Sequence, residues 1–150
     1  MTAALATVLR TQFPVSRALG VRVREASARR VVLDAPLAPN RNRSGTAFAG
    51  SLNAVATLAG WAWLTLAVRG LEPEPQVVLQ DSAITYHRPA ESAFRATCAA
   101  PPAEEIERFT RTLARRGRAR LRLTVGLLTK AGTVATFTGR YVVTRGSAGA

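Results

Sequence analysis

Carboxylates that could act as general acids or bases are scarce in this sequence, which contains only two aspartates, Asp34 and Asp81. Asp34 stands beside a turn after a strand-like stretch, where we expect a surface or capping residue. Asp81 stands in the middle of a strand-like stretch, between Leu79 and Ala83, where a carboxylate is costly unless it has a partner. Asp81 is therefore the better candidate acid or base, with a structural ion pair to an arginine as the alternative.

The other reactive side chains give weaker signals. The single histidine, His87, ends the same stretch without an acidic neighbour in sequence, so we expect a polar residue at a strand end. The single cysteine, Cys98, lies in an alternating stretch and is expected to be a small core residue. One histidine and one cysteine cannot build a zinc site, and the sequence predicts neither a metal nor a cofactor.

The longest informative segment is uncharged and runs from Ser44 to Val68, between Arg43 and Arg69. A helix that is apolar on every side must be buried on every side, in a membrane or inside a domain. The segment is long enough to cross a membrane. Its glycines and polar residues argue against contact with hydrocarbon, and strand-like alternation follows it. We therefore predict a central helix wrapped by a sheet, and no membrane span.

The start of this helix is the part of the chain best suited to hold a negatively charged oxygen. Free backbone N–H groups and the positive end of the helix dipole lie there, near Phe48 to Ser51. Gly45 and Gly50 would let a substrate carbonyl approach closely, or they only permit a tight turn into the helix. A stripe of small and polar residues could line a ligand groove or mark close contact with the sheet: Gly50, Asn53, Thr57 and Gly60.

The elements that must position these residues predict an α+β domain. Besides the central helix we predict helices over 2–12 and 102–116, a loop over 36–45, and strands over 21–24, 29–36, 76–88, 92–99, 117–129 and 133–144. Six strands and one buried helix indicate a mainly antiparallel sheet that curls around the helix. Such a sheet exposes one edge and one flank of the helix, which a second subunit would cover.

Composition indicates one domain over residues 1–150, with residues 144–150 as a frayed tail. The net charge of +12 makes phosphorylated ligands, acidic proteins and nucleic acid electrostatically possible partners. No nucleic-acid-binding motif is present, so we predict no nucleic acid partner. A lone cysteine and an N-terminus without the form of a secretory signal predict a reducing, cytoplasmic location.

The segment PLAPNRNRSGTAFAGSLNAVATLAGW, residues 36–61, resembles the hot-dog-fold superfamily and, more narrowly, the YiiD-type putative thioesterase domain. Further matching pieces are Asp81-Ser82, Tyr86, Pro89, RRGRAR (115–120) and FTGRYVV (137–143). Together they extend the resemblance over most of the chain, from residue 15 to residue 144. Ala49 departs from the family pattern, which usually has a glycine there.

The resemblance implies a long central helix packed in a curved antiparallel sheet, and a homodimer or a dimer of dimers. It implies acyl thioester substrates carried by coenzyme A or acyl carrier protein, with hydrolysis as the activity. The alternative is a non-catalytic acyl-thioester-binding or assembly module. The exposed arginines predicted on one strand, Arg118, Arg120 and Arg122, could then hold coenzyme A phosphates or an acidic carrier, or be plain solvated surface.

The resemblance also implies site residues. One thioesterase branch of the superfamily begins its helix with His-Gly-Gly; placed on Phe48-Ala49-Gly50, that motif aligns the branch's Asn with Asn42 and its catalytic Asp with Thr57. The predicted catalytic residues are therefore Asp81, Asn42 and Thr57. Substrate binding is predicted near the helix start and on the following strand, at Gly45, Thr46, Phe48, Gly50, Ser51, Asn53 and Ser82.

Overall fold

A computed structural model describes residues 1–146 and confirms the predicted α+β architecture. The elements in chain order are α1 (Thr2–Gln12), α2 (Pro14–Ala18), β1 (Arg22–Ala26), β2 (Arg30–Ala35), a 3-10 turn (Ala38–Asn40), α3 (Ala49–Ala67), β3 (Gln76–Tyr86), β4 (Phe94–Ala99), α4 (Ala103–Arg116), β5 (Arg118–Thr129) and β6 (Gly132–Thr144). Sequence periodicity did not reveal α2, a single short turn of helix that begins at Pro14, in the first-turn position that tolerates proline.

The six strands form one antiparallel sheet in the order β1-β2-β4-β5-β6-β3, which leaves β1 and β3 as its edges. Along β5, apolar and charged residues alternate because neighbouring side chains point to opposite faces. Leu121 and Leu123 are buried in the core on the inner face, whereas Arg120 and Arg122 are exposed on the outer face. A β-bulge lies in β3 between Leu79 and Asp81.

Helix α3 packs against the inner face of the sheet, and its sequence contains no charge. Val55, Ala56 and Ala59 are fully buried in the core. A flank that carries Asn53, Ala54, Thr57 and Trp61 remains partly exposed, so burial on every side is wrong for this flank. The helix ends at Ala67, and the turn that follows it contains Gly70, whose φ of 89° is a left-handed conformation that glycine adopts readily.

The closest approach between α3 and the sheet occurs at Gly60. The ring of Tyr141 from β6 lies against this glycine, and a Cβ atom there would collide with the Tyr141 hydroxyl. That hydroxyl donates a hydrogen bond to the backbone oxygen of Thr57 at 2.8 Å. Burial raises the pKa of Tyr141 well above its ordinary range, so the hydroxyl remains a neutral donor.

Hydrogen bonds hold the C-terminal part of the chain as far as Arg145. Thr144 closes β6, and the N–H of Arg145 donates to the oxygen of Gly117 at 2.8 Å. Residues 147–150 of the expected frayed tail lie outside the described residues. Within residues 1–146, no helix combines the length and the apolar character that a membrane crossing requires.

Candidate functional site

The start of α3 presents two backbone N–H groups without acceptors. Phe48, the residue before the helix, has φ −62° and ψ 132°, and no side chain caps the helix. The N–H of Phe48 donates to Asn40 at 2.7 Å and that of Ser51 donates to Phe48 at 3.0 Å. The N–H groups of Ala49 and Gly50 donate to no acceptor within residues 1–146. These two groups concentrate the positive end of the helix dipole at one point.

Asn40 anchors the loop that leads into this helix, a role that sequence reasoning missed. Its side chain is 1% exposed, and Nδ2 donates to the backbone oxygens of Leu19 (2.8 Å) and Pro36 (2.7 Å). Its own backbone oxygen accepts the Phe48 hydrogen bond. Asn40 therefore ties the approach to α3 to the segment before β1. The sequence signal that could have indicated this role is the pair Pro39-Asn40, which lies in the segment that resembles the family.

Asn42 holds a tight turn between Asn40 and the helix. Its Oδ1 accepts hydrogen bonds from the N–H groups of Ser44 (2.9 Å) and Thr46 (3.1 Å), and its Nδ2 donates to the Thr46 hydroxyl at 2.8 Å. Gly45 has φ 81° in this turn, and nothing lies within 4 Å of the place where a Cβ would be. The turn requires glycine there for its backbone conformation, and the Asn42 side chain is used to build it.

Two exposed aromatic side chains border the free N–H groups. Phe48 is 55% exposed, and its ring lies against Gly50, where a Cβ atom would collide with it. Tyr86, at the end of β3, is 44% exposed and donates its hydroxyl hydrogen to the backbone oxygen of Ala49 at 2.9 Å. Partial burial raises the pKa of Tyr86. The sequence placed Tyr86 in a matching segment without giving it a role.

The stripe of small and polar residues on α3 divides into two parts. Gly60 is buried against Tyr141, which is the close contact with the sheet that was one of the two expectations. Asn53 and Thr57 lie on the partly exposed flank. The Thr57 hydroxyl donates to the backbone oxygen of Asn53 at 2.9 Å, a bond within the helix. Asn53, Thr57 and the exposed Gly50 at the helix start are therefore the members of the stripe that could face a ligand.

Asp81 lies on the outer face of β3 and not in the core, so the cost of burying a carboxylate, expected from its mid-strand position, does not arise. Its side chain is 50% exposed and accepts hydrogen bonds from two nitrogens of Arg140 on β6, Nε at 2.8 Å and Nη2. The bulge after Leu79 puts Gln80 and Asp81 together on the outer face, where the Gln80 side chain accepts from Arg120. Sequence alternation could not show this. The ion pair with an arginine is the alternative that the structure favours.

Ser82, the neighbour of Asp81, pairs with Gly139 of β6. Gly139 lies among the side chains of Leu79, Phe137 and Tyr141, which belong to the core side of the sheet. Ser82 is therefore on the face that α3 covers, and Asp81 is on the other. The structure does not bring the three predicted catalytic residues together within one chain.

Glu91, a carboxylate to which the sequence analysis gave no role, adjoins the loop before α3. The N–H of Ala47 donates to the backbone oxygen of Ala90 at 2.8 Å, so the exposed Glu91 follows a residue in direct contact with the loop before α3. No sequence motif marks it. A contact between distant segments, visible only in the fold, makes Glu91 a candidate acid or base.

The remaining reactive groups behave as the sequence predicted. His87 is exposed, and its Nε2 lies 2.9 Å from the Thr136 hydroxyl. Cys98 is fully buried, and burial raises the pKa of its thiol to about 12, so the thiol is neutral near pH 7 and a poor nucleophile. Within residues 1–146, no three His, Cys, Asp or Glu side chains form a group that could hold a metal.

Comparisons with known proteins agree with this architecture. A family model described as a putative thioesterase, YiiD C-terminal type, matches residues 2–145. A protein of unknown function from Chlorobaculum tepidum TLS is 27% identical, with a TM-score of 0.90 over 97% of this chain and 94% of that one. A putative thioesterase from Shewanella oneidensis is 29% identical, with a TM-score of 0.83 over 97% of each chain.

A third similar structure comes from Pseudomonas aeruginosa and is a protein of unknown function called a probable thioesterase. It is 23% identical, with a TM-score of 0.82 over 96% of this chain and 95% of that one. At 23% identity, this similarity is evidence for the fold and not for the activity. The predicted hot-dog fold, with a curved antiparallel sheet and a central helix, is confirmed.

Proposed function

The chain belongs to the putative thioesterase family whose model matches residues 2–145, and we propose that it hydrolyses acyl thioesters carried by coenzyme A or acyl carrier protein. The observation that supports this activity is the pair of free N–H groups of Ala49 and Gly50. The carbonyl oxygen of a thioester gains negative charge when its carbon is attacked. Two amide donors at a helix start stabilise that charge in the transition state.

In this proposal the substrate lies between the loop before α3 and the partly exposed flank of the helix. Phe48 and Tyr86 supply apolar surface beside the reacting carbonyl. Asn42 acts by holding the turn that sets the direction of the helix start. We propose that the other substrate-binding residues border this path: Gly45, Thr46, Gly50, Ser51, Asn53 and Ser82.

A homodimer belongs to the same proposal, and two dimers could pair further. The edge strand β3 carries exposed apolar residues, with Val78 55% exposed, and it lies beside the partly exposed flank of α3. A second copy paired along β3 would cover both surfaces and satisfy the unpaired backbone groups of the edge. A cytoplasmic location is also proposed, since the free thiol of Cys98 fits a reducing compartment.

A non-catalytic acyl-thioester-binding module is the second candidate function. It is favoured because the side chains of the three residues predicted to be catalytic are already engaged in other hydrogen bonds. The Asn42 amide is used within a turn, the Thr57 hydroxyl is bonded within its helix, and the Asp81 carboxylate is paired on the outer face. None of them offers a free base at the start of α3. The base role predicted for Asp81 from the sequence is untested, and within the hydrolase proposal we give that role to Glu91, which follows the residue bonded to the loop before α3.

The deciding experiment is a hydrolysis screen with acyl-coenzyme A and acyl carrier protein thioesters of varied chain length. We expect saturable turnover of at least one class by the wild-type protein. If Glu91 delivers the water, Glu91→Gln lowers kcat about a hundredfold, and the exposed Glu104→Gln on α4 leaves it unchanged. Binding without turnover would establish the acyl-thioester-binding module. The absence of both binding and turnover would rule out both candidate functions.

A further inference from the structure

A basic cleft of about 1240 Å³ opens on the outer face of the sheet. Parts of β1, β2 and β4, the end of β5 and the segment before β1 line it, and none of the residues in the proposed thioester site does so. Six arginines and one lysine face the cleft against two carboxylates, Glu25 and Asp34. Part of the chain's excess of positive charge therefore lies in a concavity.

One carboxylate at the cleft wall holds two guanidinium groups side by side. Nε of Arg24 on β1 donates to one oxygen of Asp34 at 2.6 Å, and Nε of Arg95 on β4 donates to the other oxygen at 2.8 Å. The terminal nitrogens of Arg24 and Arg95 donate to no acceptor within residues 1–146. Both side chains are about half exposed. Asp34 thus orients two guanidinium forks and leaves their donating ends open to solvent.

The lining of the cleft includes an apolar residue that is almost completely covered. Val32 lies on the outer face of β2, outside the main core, yet it is only 4% exposed. Neighbouring side chains therefore cover it, and the bonds to Asp34 hold the Arg24 and Arg95 side chains in place. Ordered arginine stems lose less conformational freedom when a ligand binds.

We propose that this cleft binds a phosphorylated small molecule, with a phosphate group held between Arg24 and Arg95. A planar guanidinium fork matches two phosphate oxygens, and two forks on one carboxylate provide four donors. Arg10, Arg17 and Arg22 also line the cleft and form no ion pair within the described residues, so they add charge for a second anionic group.

The size and the lining of the cleft fit this class of ligand. Its volume accommodates a molecule of nucleotide size. The one aromatic residue in its lining, Phe94, is 2% exposed, so the cleft offers no platform on which the bases of a single-stranded nucleic acid could stack. The phosphate could belong to coenzyme A or to a separate phosphorylated molecule, and the site does not depend on hydrolysis.

The test is titration calorimetry at low ionic strength with three probes: inorganic pyrophosphate, adenosine 3′,5′-bisphosphate and coenzyme A. We expect the double variant Arg24→Gln with Arg95→Gln, the glutamine pair, to raise the Kd for pyrophosphate about a hundredfold or more. The double variant Arg24→Lys with Arg95→Lys, the lysine pair, keeps both charges beside Asp34 but removes the planar guanidinium groups. It should raise the Kd for pyrophosphate about tenfold. The control pair Arg108→Gln with Arg111→Gln removes the same charge from exposed sites on α4 and should change Kd less than threefold.

The outcomes separate the sources and decide the proposal. Tighter binding of coenzyme A than of pyrophosphate, lost in the glutamine pair, supports the thioester carrier as the source. Equal binding of all three probes supports a separate phosphorylated ligand. Wild-type affinity in the lysine pair, or equal weakening in the α4 control, overturns the site in favour of general electrostatic attraction. No binding at millimolar concentrations also overturns it. These measurements need no turnover, so a failed hydrolysis screen leaves them valid.

Discussion

Between the inner face of the sheet and α3, polar side chains are few and neutral: Tyr141 donates to Thr57, and the Thr57 hydroxyl donates to Asn53. On the outer face they are charged and joined by ion pairs, Asp34 with two arginines and Asp81 with one. A desolvated face tolerates only neutral groups that are satisfied, whereas a hydrated face tolerates clustered charge. The start of α3 therefore suits an acyl group and its carbonyl, and the outer face suits anions.

Of the substitutions that test this difference between the two faces, Ala49→Pro is expected to have the largest effect. Proline is accepted at the first helical position, and Phe48 already has the extended conformation that a residue before proline prefers. The substitution removes one of the two free N–H groups and should leave the fold intact. We expect kcat for the best thioester to fall about a hundredfold to a thousandfold.

The matched control is Ala103→Pro, at the start of α4. Pro102 before it has φ −52° and ψ 143°, so the local geometry is equivalent. We expect wild-type kcat and thermal stability for this variant. If folded Ala49→Pro also turned over at the wild-type rate, the amide groups at the start of α3 would have no part in catalysis.

A second prediction concerns packing on the inner face. Replacing a helical glycine by alanine usually stabilises a helix by about 1 kcal/mol. Gly60→Ala should instead lower the free energy of unfolding by about 1–3 kcal/mol, because the new methyl group meets the buried Tyr141 hydroxyl. Urea unfolding measures the difference. Gly50→Ala is the comparison, since the exposed Phe48 ring can move aside, and a stabilised Gly60→Ala would contradict the close contact.

The smallest expected effect is that of Asp81→Asn on the outer face. A half-exposed ion pair contributes about 0–1 kcal/mol, so we expect a loss of that size in the free energy of unfolding and a kcat within a few-fold of wild type. Asp34→Asn, which releases two arginines, should cost more stability. A loss of about a hundredfold in kcat for folded Asp81→Asn would instead restore Asp81 as the base and break the division between the faces.

The sequence predicted the elements well because their signals are local. The uncharged segment over 44–68 contains α3, and the period-two stretches became the six strands. The candidate site was predicted less completely, since its remaining parts depend on contacts between distant segments. One bulge moved Asp81 to the outer face, and the fold alone brought Tyr86 to Ala49 and Glu91 beside the loop before α3.

The two edges of the sheet differ in a way that limits how it can grow. The β1 edge has a bulge between Val23 and Glu25, carries the exposed Arg22 and Arg24, and packs against α1. The β3 edge has no lysine or arginine between Gln76 and Tyr86. The β3 edge is therefore the better one for adding a strand, and once two copies have joined there, the edges that remain are the two protected β1 strands. We expect sheet extension to end at a pair, so that this arginine-rich chain does not form filaments even at high concentration.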